Sequence, residues 1–323
     1  MSPAWSQLEL RPRKGKSAVT ASHHVLEGRL FPTQTKMNFP KPAYAPFVTC
    51  HGSAFGKPAR RLGLASRGVT QLSCDDVLAA IEQGVNFVNW PGASEGPAVR
   101  DSFSSAIAEL GPRREDVVVS IQLAARDASD ARDELQSVLR VLGTDYVDVV
   151  TLYYVEQEHE WNSLSSPDGV CDYCRAAQAD GTIRRLGITS HRRPLAAKIA
   201  ASGLVDLVMI RYNAAHRGAE REVFPVTEAH GVPVIAYTAL RWGALLQSTP
   251  LDPPGYQVPT ADAWYRFVLQ SPSVSVVLAA PDTRQELDQA LSVLRADGPL
   301  PESEWNELAA HGARVRATAG SFP

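Results

Sequence analysis

The sequence has few of the features that mark secreted, membrane-bound or nucleic-acid-binding proteins. Four cysteines in 323 residues are too few to hold a domain of this size together by disulfides, so we expect a reducing, cytoplasmic setting. The net charge of −3 gives no electrostatic reason to expect nucleic acid or an anionic membrane as a partner. No apolar run approaches the roughly 18 residues that span a bilayer. The N-terminus also lacks the apolar stretch of a secretory signal. We therefore expect neither nucleic acid nor a membrane as a partner.

Regular hydrophobic patterning is absent from the first 60 residues. The segment SPAWSQLELRPRKGKSAVTASHH is basic, and LFPTQTKMNFPKPAYAPF is proline-rich with scattered aromatic residues. We interpret residues 1–60 as an irregular N-terminal arm and residues 61–323 as the main body. The arm either packs on the body through Phe31, Phe39 and Phe47 or is a flexible tail.

The clearest pattern lies in GTIRRLGITSHRRPLAAKIAASGLVDLVMIRYN, residues 181–213. Two apolar runs flank a helical segment within about thirty residues, which is typical of a βαβ unit with parallel strands. Both runs end in polar residues, Ser190 and His191 in one and Arg211 and Asn213 in the other. In a parallel barrel, the carboxyl ends of the strands build the site.

The same unit repeats along the chain. The other predicted strands are RLGLAS, NFVNW, DVVVSIQL, VDVVTLYYV, VPVIAYTAL and VSVVLAA, and a helical pattern follows each of them. Eight strand–helix units predict an α/β fold, a (β/α)8 TIM barrel. The amphipathic segment ESEWNELAAHGARVRAT predicts a C-terminal helix after the barrel.

With the strands placed, the chain resembles the aldo-keto reductases over roughly residues 61–294. The resemblance rests on LGLA, GVNFVNW, REDVVVSIQ, LGTDYVDVVTLYY, GTIRRLGITSH, RYN and GVPVIAYTALRWGALL, which occur in the family's order. It implies a barrel of aldo-keto reductase type that acts on a small organic molecule.

The resemblance also implies a catalytic Asp, Tyr, Lys and His tetrad, which this chain lacks. The Asp position at the end of the second strand is Asn89, and Ser94 stands where the acid Tyr follows. The Lys position is Gln122, and the His position is Tyr153. Asn89 and Gln122 are neutral, and we expect their amides to pair across the barrel mouth and orient the substrate. Loss of only one partner of a buried ion pair would cost about 3–5 kcal/mol, so the matched change predicts a rebuilt site.

Two side chains, Tyr153 and His191, carry the acid–base hypothesis. Tyr153 is either a proton donor or an aromatic that packs into the barrel top. Strand alternation predicts that Tyr154 points the other way, toward the helices. His191, with an ordinary pKa near 6.5, is either a general base or a hydrogen-bonded spacer.

The implied nicotinamide site is matched in part. Ser190 matches the family's carboxamide-binding Ser, and Tyr237 matches the ring that stacks on nicotinamide. His191 and Met209 replace the family's Asn and Gln. Arg284 is placed to meet a phosphate at the first turn of the last barrel helix. The cofactor expectation therefore remains open between none and NADP(H).

Four residues are candidates for substrate binding. Arg211 and Asn213 share a strand face and suit an anionic or polyhydroxylated ligand, or else belong to a solvated loop. Trp90 and Trp242 follow strand ends, where they line an apolar pocket or shield the core.

Two clusters suggest metal binding only weakly. Cys171 and Cys174 have CxxC spacing on a predicted outer helix without a second pair of ligands, so we interpret them as structural thiols. Glu156, His159 and Glu160 lack a third fixed ligand group, and we predict no metal site.

Three functions follow. The first is a barrel enzyme for redox-neutral acid–base chemistry (cyclisation, dehydration or isomerisation), with Tyr153 as acid, His191 as base, and Asn89 and Gln122 as orienting groups. The second is an NAD(P)H-dependent carbonyl oxidoreductase with Tyr153 as proton donor. The third is a non-catalytic ligand- or partner-binding barrel. The replaced tetrad favours the first or the third over the second, and the polar strand ends and the expected amide pair favour a working pocket, hence the first. The sequence leaves the substrate and the oligomeric state open.

Overall fold

A closed barrel of eight parallel strands forms the body of the protein. The computed structural model describes residues 46–50, 54–67, 70–92, 94, 98–318 and 320. The barrel strands are β1 (Leu62–Ala65), β2 (Phe87–Asn89), β3 (Val118–Leu123), β4 (Val147–Leu152), β5 (Ile183–Ser190), β6 (Leu207–Arg211), β7 (Val234–Tyr237) and β8 (Val274–Ala279). Neighbours in sequence are neighbours in the sheet, and β8 pairs with β1 to close it. The predicted (β/α)8 fold is confirmed.

Helices connect the strands around the outside of the barrel. They are α1 (Cys74–Glu82), α2 (Ser102–Glu109), α3 (Ala128–Leu142), α4 (Glu158–Leu164), α5 (Val170–Ala179), α6 (Arg193–Ala200), α7 (Ala219–Glu222), α8 (Phe224–His230), α9 (Ala261–Leu269), α10 (Arg284–Leu291) and α11 (Glu302–Thr318). Short 3-10 helices occupy Pro46–Val48, Gly111–Asp116, Ala244–Leu246 and Ser292–Arg295. Within the described residues, no helix combines the length and apolar composition needed to cross a bilayer.

The lower half of the barrel lumen is filled with apolar side chains, so the lumen is a core and not a channel. Phe87, Val118, Val149 and Ile235 belong to this inner cluster. Glycine at an inward position leaves room for a neighbouring apolar side chain. A Cβ on Gly187 would lie 2.5 Å from the Leu207 side chain. Space for a ligand is therefore left at the carboxyl ends of the strands.

Residues 46–60, assigned from sequence to an irregular arm, include an ordered closure of the barrel's amino end. Thr49–Cys50 pairs antiparallel with Ala59–Arg60. Between them, Phe55 is fully buried and meets the Phe87 ring edge-on at 5.1 Å. The Arg61 guanidinium stacks on the Phe47 ring at 5.6 Å. The boundary drawn at residue 60 thus falls inside a packed segment, while Phe31 and Phe39 lie outside the described residues.

The predicted C-terminal helix, α11, packs against the turn that follows β6. The backbones approach so closely that a Cβ on Gly312 would lie 2.5 Å from the Ala214 carbonyl. His311 is buried beside it, with Nδ1 3.0 Å from the Asp252 carboxylate, and Arg314 Nε donates to the same oxygen at 2.6 Å. Burial alone would raise the pKa of Asp252, but hydrogen bonds from Thr249, Arg314 and His311 lower this pKa to about 2. An ionic contact therefore fastens α11 to the loop after β7.

Candidate active site

A cavity of about 380 Å³ opens at the carboxyl ends of the strands. Its polar and aromatic lining includes Asn89, Gln122, Tyr153, Tyr154, Thr189, Tyr237, Thr238, Trp242, Tyr265, Glu286 and Gln289. Ser66, Arg67 and apolar side chains complete the wall. The volume lies within the usual range for small-molecule pockets, roughly 300–1,000 Å³.

The cavity floor is built from neutral polar side chains. Asn89 and Gln122 point into the lumen because they occupy inward positions of β2 and β3. Asn89 Oδ1 accepts a hydrogen bond from Ser120 Oγ at 3.1 Å, and Gln122 Nε2 donates to Met209 Sδ at 3.6 Å. The predicted amide pair is therefore not formed. Ser120 is the direct cross-strand partner of Asn89, and its hydroxyl occupies the Asn89 Oδ1 acceptor in place of the Gln122 amide.

Tyr153 and Tyr154 both face the cavity, which corrects the expectation that Tyr154 points toward the helices. Strand β4 ends at Leu152, and Tyr154 has a φ of 42°, in the left-handed region. Alternation holds only in extended backbone, so this turn places both phenols on one side, with their ring centres 4.1 Å apart. A non-glycine residue in this conformation costs about 1–2 kcal/mol, which the surrounding contacts must offset.

A histidine–carboxylate dyad lies behind Tyr154. The His191 Nδ1 is 3.1 Å from Glu156 Oε1, and the His191 backbone N–H donates to the same oxygen at 2.8 Å. Burial alone would raise the pKa of Glu156, but the two bonds from His191 outweigh it and lower this pKa. The imidazole ring lies 4.4 Å from the Tyr154 ring. With Nδ1–H donated to the ionised Glu156, Nε2 is the acceptor atom of this imidazole.

Tyr237 and Arg211 adjoin this aromatic group on the next strands. Their Cα atoms are partners in the β6–β7 ladder, and the Tyr237 hydroxyl donates to the Ser190 carbonyl at 3.3 Å. Burial raises the pKa of Tyr237 well above its ordinary value, so this phenol stays protonated. Burial lowers the pKa of Arg211, and the Tyr237 and Tyr154 phenols partly oppose that change.

Asn213, predicted to bind substrate beside Arg211, is a structural residue. Strand β6 ends at Arg211, and the Asn213 side chain is 0% exposed. Its Nδ2 donates to the Thr238 carbonyl at 2.9 Å, and its Oδ1 accepts from the Ala215 N–H at 3.0 Å. Since the chain turns after the strand, the shared strand face expected from sequence does not exist.

The two predicted pocket tryptophans have opposite environments. Trp90 is 2% exposed, lies in the core between barrel and helices, and donates its indole N–H to Asp101 at 2.9 Å. It lies outside the cavity lining, contrary to the sequence interpretation. Trp242 is 63% exposed and lines the mouth. It lies in a loop where Arg241, Trp242 and Gly243 all have positive φ.

Of the three residues predicted to hold a cofactor, Ser190 and Tyr237 are in contact through the 3.3 Å hydrogen bond from the Tyr237 hydroxyl to the Ser190 carbonyl, whereas Arg284 lies apart from them. The Ser190 Oγ is buried and accepts a hydrogen bond from the Arg192 N–H at 3.0 Å. The Arg284 guanidinium bonds Asp76 at 2.9 Å and Asp288 at 3.0 Å, on the surface between α1 and α10. Helix α10 instead turns Glu286 and Gln289 toward the cavity. Of the three, only Tyr237 lines it.

The remaining sequence candidates lie away from the cavity. Cys171 and Cys174 are buried on α5, and burial raises their pKa values to about 11 and about 12. Such thiols are inert as nucleophiles. Glu160 caps the turn after β4, accepting from the Glu156 N–H at 2.9 Å and from Arg126 Nε at 2.6 Å. The described residues contain no group of three or more side chains that could hold a metal ion.

Comparison with known proteins places this barrel in a family. The sequence model of the aldo/keto reductase family matches residues 66–257, more than half of the chain. The chain belongs to the aldo/keto reductase family.

Solved aldo/keto reductases share the fold at low sequence identity. The holo form of an aldo-keto reductase from Bacillus halodurans is 17% identical, with a TM-score of 0.64 over 83% of this chain and 96% of that one. An aldo/keto reductase from Klebsiella pneumoniae, solved with NADP and acetate, is 18% identical, with a TM-score of 0.65 over 82% and 95%. A putative 2,5-diketo-D-gluconic acid reductase B is 20% identical, with a TM-score of 0.61 over 82% and 92%.

Sequence reasoning missed two residues at the heart of this aldo/keto reductase site. Strand alternation predicts Tyr154 in the helical layer, and the loop position of Glu156 predicts only a pocket cap or a metal ligand. The signal for Glu156 was its place in a turn that follows a strand end, next to the strand that carries His191. No sequence pattern predicts the left-handed turn at Tyr154, because a φ of 42° at a tyrosine depends on tertiary contacts.

Proposed function

We propose that this aldo/keto-reductase-family barrel is an enzyme for redox-neutral acid–base chemistry on a small organic substrate. Cyclisation, dehydration and isomerisation are the reactions in question. One observation carries the proposal: two phenols, Tyr153 and Tyr154, face the cavity together, with the His191–Glu156 dyad directly behind them. Each of these reactions removes one proton and adds another, and needs no hydride.

Tyr153 is the proposed acid. It stands where the family resemblance places a substrate-polarising His, and its hydroxyl is both a donor and an acceptor. A positioned general acid contributes about 10²–10⁴ in rate. Its backbone is fixed by a hydrogen bond from the Tyr153 N–H to the Leu123 carbonyl at 2.8 Å.

Tyr154, His191 and Glu156 form the proposed base side. One oxygen of Glu156 fixes His191 through two hydrogen bonds, one with imidazole Nδ1 and one from the backbone N–H, and the imidazole in turn packs on the Tyr154 ring. Tyr154 is the member of this group that lines the cavity. His191, predicted as the base, therefore lies one layer back, where it positions Tyr154 and accepts a proton at Nε2.

Asn89 and Gln122 form a neutral floor that suits a substrate carbonyl or hydroxyl. The resemblance places an Asp and a Lys at these two positions, where the Lys lowers the pKa of a catalytic Tyr. Two amides carry no charge and cannot do so. They still hold a polar substrate atom, because each amide offers both donors and an acceptor.

NADP(H)-dependent carbonyl reduction with Tyr153 as proton donor is the second candidate. It is favoured by Tyr237, which lines the cavity at the position where the family's ring stacks on nicotinamide, and by the Klebsiella pneumoniae structure solved with NADP. A bound nicotinamide would supply the hydride. The fit is incomplete, because the Ser190 hydroxyl caps a turn and Arg284 is committed to two carboxylates.

Titration of the purified protein with NADPH and NADH, followed by quenching of tryptophan fluorescence, separates the two candidates. The redox-neutral proposal predicts no saturation in the micromolar range. In parallel, a panel of cyclic ketones is incubated in D2O with the cofactor-free protein. NMR then measures deuterium uptake at the carbons next to the carbonyl.

We expect the wild-type protein to exchange deuterium faster than buffer does. In Tyr153→Phe the exchange rate should fall by a factor of about 10²–10⁴, which is the usual contribution of a general acid. Tyr146→Phe, at the opposite end of the barrel, is the matched control and should exchange at the wild-type rate. Micromolar NADPH binding with NADPH-dependent ketone reduction would establish the second candidate instead. If no ketone exchanges deuterium faster than it does in buffer, and no nicotinamide cofactor binds, the third function, a non-catalytic ligand-binding barrel, would be favoured.

A further inference from the structure

The turn after β4 carries most of the proposed acid–base group, and its backbone needs support. Tyr154 has a φ of 42°, a left-handed conformation that a tyrosine keeps only where surrounding contacts hold it. The turn brings the Tyr153 and Tyr154 phenols to the same cavity and directs the Glu156 carboxylate to His191. A rotation of its peptide groups would separate these side chains. The contacts of the turn's backbone therefore decide the geometry of the candidate site.

The Arg126 guanidinium contacts this turn from the loop after β3, and all three of its nitrogens are bonded. Nη2 donates to the Tyr153 carbonyl at 2.7 Å and lies 3.5 Å from the Tyr154 carbonyl oxygen. Nη1 donates to the Ala124 carbonyl at 2.7 Å. Nε donates to Glu160 Oε1, in the first turn of α4, at 2.6 Å. One guanidinium thus connects the loop after β3, both tyrosine carbonyls and α4.

Glu160 extends this contact to the carboxylate side of the site. Its second oxygen, Oε2, accepts a hydrogen bond from the Glu156 N–H at 2.9 Å. The side chain of Glu156 in turn bonds His191 through Oε1. Together, Arg126 and Glu160 therefore contact the backbone of every residue in the turn that carries the proposed chemistry. We call these two residues the Arg126–Glu160 pair.

The loop that carries Arg126 is itself held in place. Glu134, on α3, accepts the Ala124 N–H with both carboxylate oxygens, at 3.0 and 3.1 Å. The same carboxylate accepts the Ala125 N–H at 2.9 Å. Arg126 follows these two residues directly, so its backbone starts from a fixed point. The guanidinium can therefore impose a geometry on the neighbouring turn.

The exposure of the Arg126–Glu160 pair indicates a geometric role more than a stabilising one. The two side chains are 39% and 20% exposed, and ion pairs near the surface contribute little to stability. The donors of an arginine, however, form a rigid planar fork. In Arg126 this fork meets acceptors on three separate segments, which a single lysine ammonium cannot reproduce.

We propose that Arg126, together with Glu160, is a positioning residue for the acid–base reaction. Its guanidinium holds the turn after β4 in the conformation that directs both phenols, Tyr153 and Tyr154, into the cavity. It acts through the turn and not on the substrate. The expected effect on rate rests on the proposed function, whereas the effect on the turn can be measured without any reaction.

The first readout is the position of the Tyr154 ring. This ring lies 4.4 Å from the His191 imidazole, so its ring current shifts the NMR signals of the carbon-bound imidazole protons. The His191→Gln variant identifies these signals by their loss. Arg126→Gln should move them toward the positions of an unstacked histidine. Tyr154→Leu, which removes the ring, gives the full size of that change.

The second readout is deuterium exchange in the cyclic ketones. In Arg126→Gln the exchange rate at saturating ketone should fall by a factor of about 10², because a displacement of about 1 Å at reacting groups can have an effect of this size. The ketone concentration that gives half of the maximal rate should change little, since the cavity lining is retained. Arg126→Lys keeps the charge but not the fork, and should recover only part of the rate.

Arg175→Gln is the matched control. Arg175 is also partly exposed, and its guanidinium bonds the Leu204 carbonyl at 2.6 Å and lies 3.5 Å from the Asp206 carboxylate. These contacts lie before β6, at the amino end of the barrel. The variant thus removes contacts of the same kind from a loop far from the cavity. Its His191 signals and its exchange rate should equal those of the wild type.

Moved His191 signals in Arg126→Gln, with unchanged signals in Arg175→Gln, would support the inference. Unchanged signals in Arg126→Gln would overturn it, because the turn would keep its geometry without the guanidinium. Full recovery of the signals and the rate in Arg126→Lys would also overturn it, since charge alone would then suffice.

The two readouts separate this inference from the proposed function. If the His191 signals move as expected while no ketone exchanges deuterium in the wild type, the role of Arg126 in the turn stands and the proposed reaction fails. If the wild type exchanges deuterium and Arg126→Gln does so at the same rate, the positioning role fails and the proposed reaction stands.

Discussion

The two ends of the barrel differ in the buried polar groups that they contain: one end has charged groups and the other neutral ones. At the amino end, the fully buried Asp148 carboxylate lies 2.7 Å from Lys57 Nζ, 2.8 Å from Arg114 and 3.1 Å from Arg184. The Val119 N–H also donates to it, at 2.9 Å. At the carboxyl end, the corresponding depth holds neutral amides, hydroxyls and phenols.

The difference follows from what each end must accommodate. A buried carboxylate is tolerable only when its oxygens are fully paired, which requires a fixed set of partners. The amino end has these partners, and the Tyr146 ring stacks against the guanidinium groups of Arg114 and Arg184 at 4.2 and 4.3 Å. A site that admits a ligand and water cannot keep all its partners. Asn89 and Gln122 supply polarity there without a charge that must always be paired.

Removing the charge at the amino end should have the largest effect on stability. Asp148→Asn keeps the shape of the side chain but leaves three cations without their carboxylate. We expect the free energy of unfolding to fall by about 3–5 kcal/mol, measured by urea denaturation. Asp145→Asn, an exposed carboxylate at the same end, should change it by less than about 0.5 kcal/mol. Similar values for the two variants would contradict the contrast between the ends.

Adding a charge at the mouth of the cavity should lower the free energy of unfolding by less, and by an amount that depends on whether the new charge has an oppositely charged partner. Asn89→Asp alone and Gln122→Lys alone each bury one unpaired charge, and each should lower the free energy of unfolding by about 1–3 kcal/mol. The double variant should recover part of the loss, since the two new charges can pair. A double-mutant cycle should give a favourable coupling of about 1 kcal/mol or more. Simple additivity would mean that the two positions do not meet.

The sequence predicts the barrel well because the barrel is set by repeated local patterns. Runs such as VDVVTLYYV are apolar enough to be buried on both faces, and glycine or polar caps separate them from the helices. Inward positions near strand ends follow from alternation as long as the strand continues. Asn89, Gln122 and Tyr153 were placed at the cavity on this basis.

The local patterns fail where the chain leaves its strand. Tyr154 turns into the cavity because its backbone is left-handed, and Asn213 turns away because β6 ends two residues earlier. Trp90 is drawn into the core by a bond to Asp101, eleven residues further on. These features depend on tertiary contacts, which a periodicity does not encode.

The smallest expected effect is the pH dependence of stability that comes from the ionic contact of α11, because it depends on one carboxylate, Asp252. The pKa of Asp252 is about 2 in the folded protein and about 3.9 in an unfolded chain. A carboxyl with a lowered folded-state pKa stabilises the fold above its unfolded pKa. That stabilisation is lost as the pH falls from about 4 to about 2, because protonation removes the bonds from Arg314 and His311.

Urea denaturation at a series of pH values should therefore show a steeper acid-side loss of stability for the wild type than for Asp252→Asn, and the two curves should converge near pH 2. Above pH 5 the variant should be the less stable of the two by a constant amount. If the curves stay parallel down to pH 2, the carboxylate does not hold α11 in solution. Helix α11 would then be held mainly by the close packing of Gly312 on the Ala214 backbone.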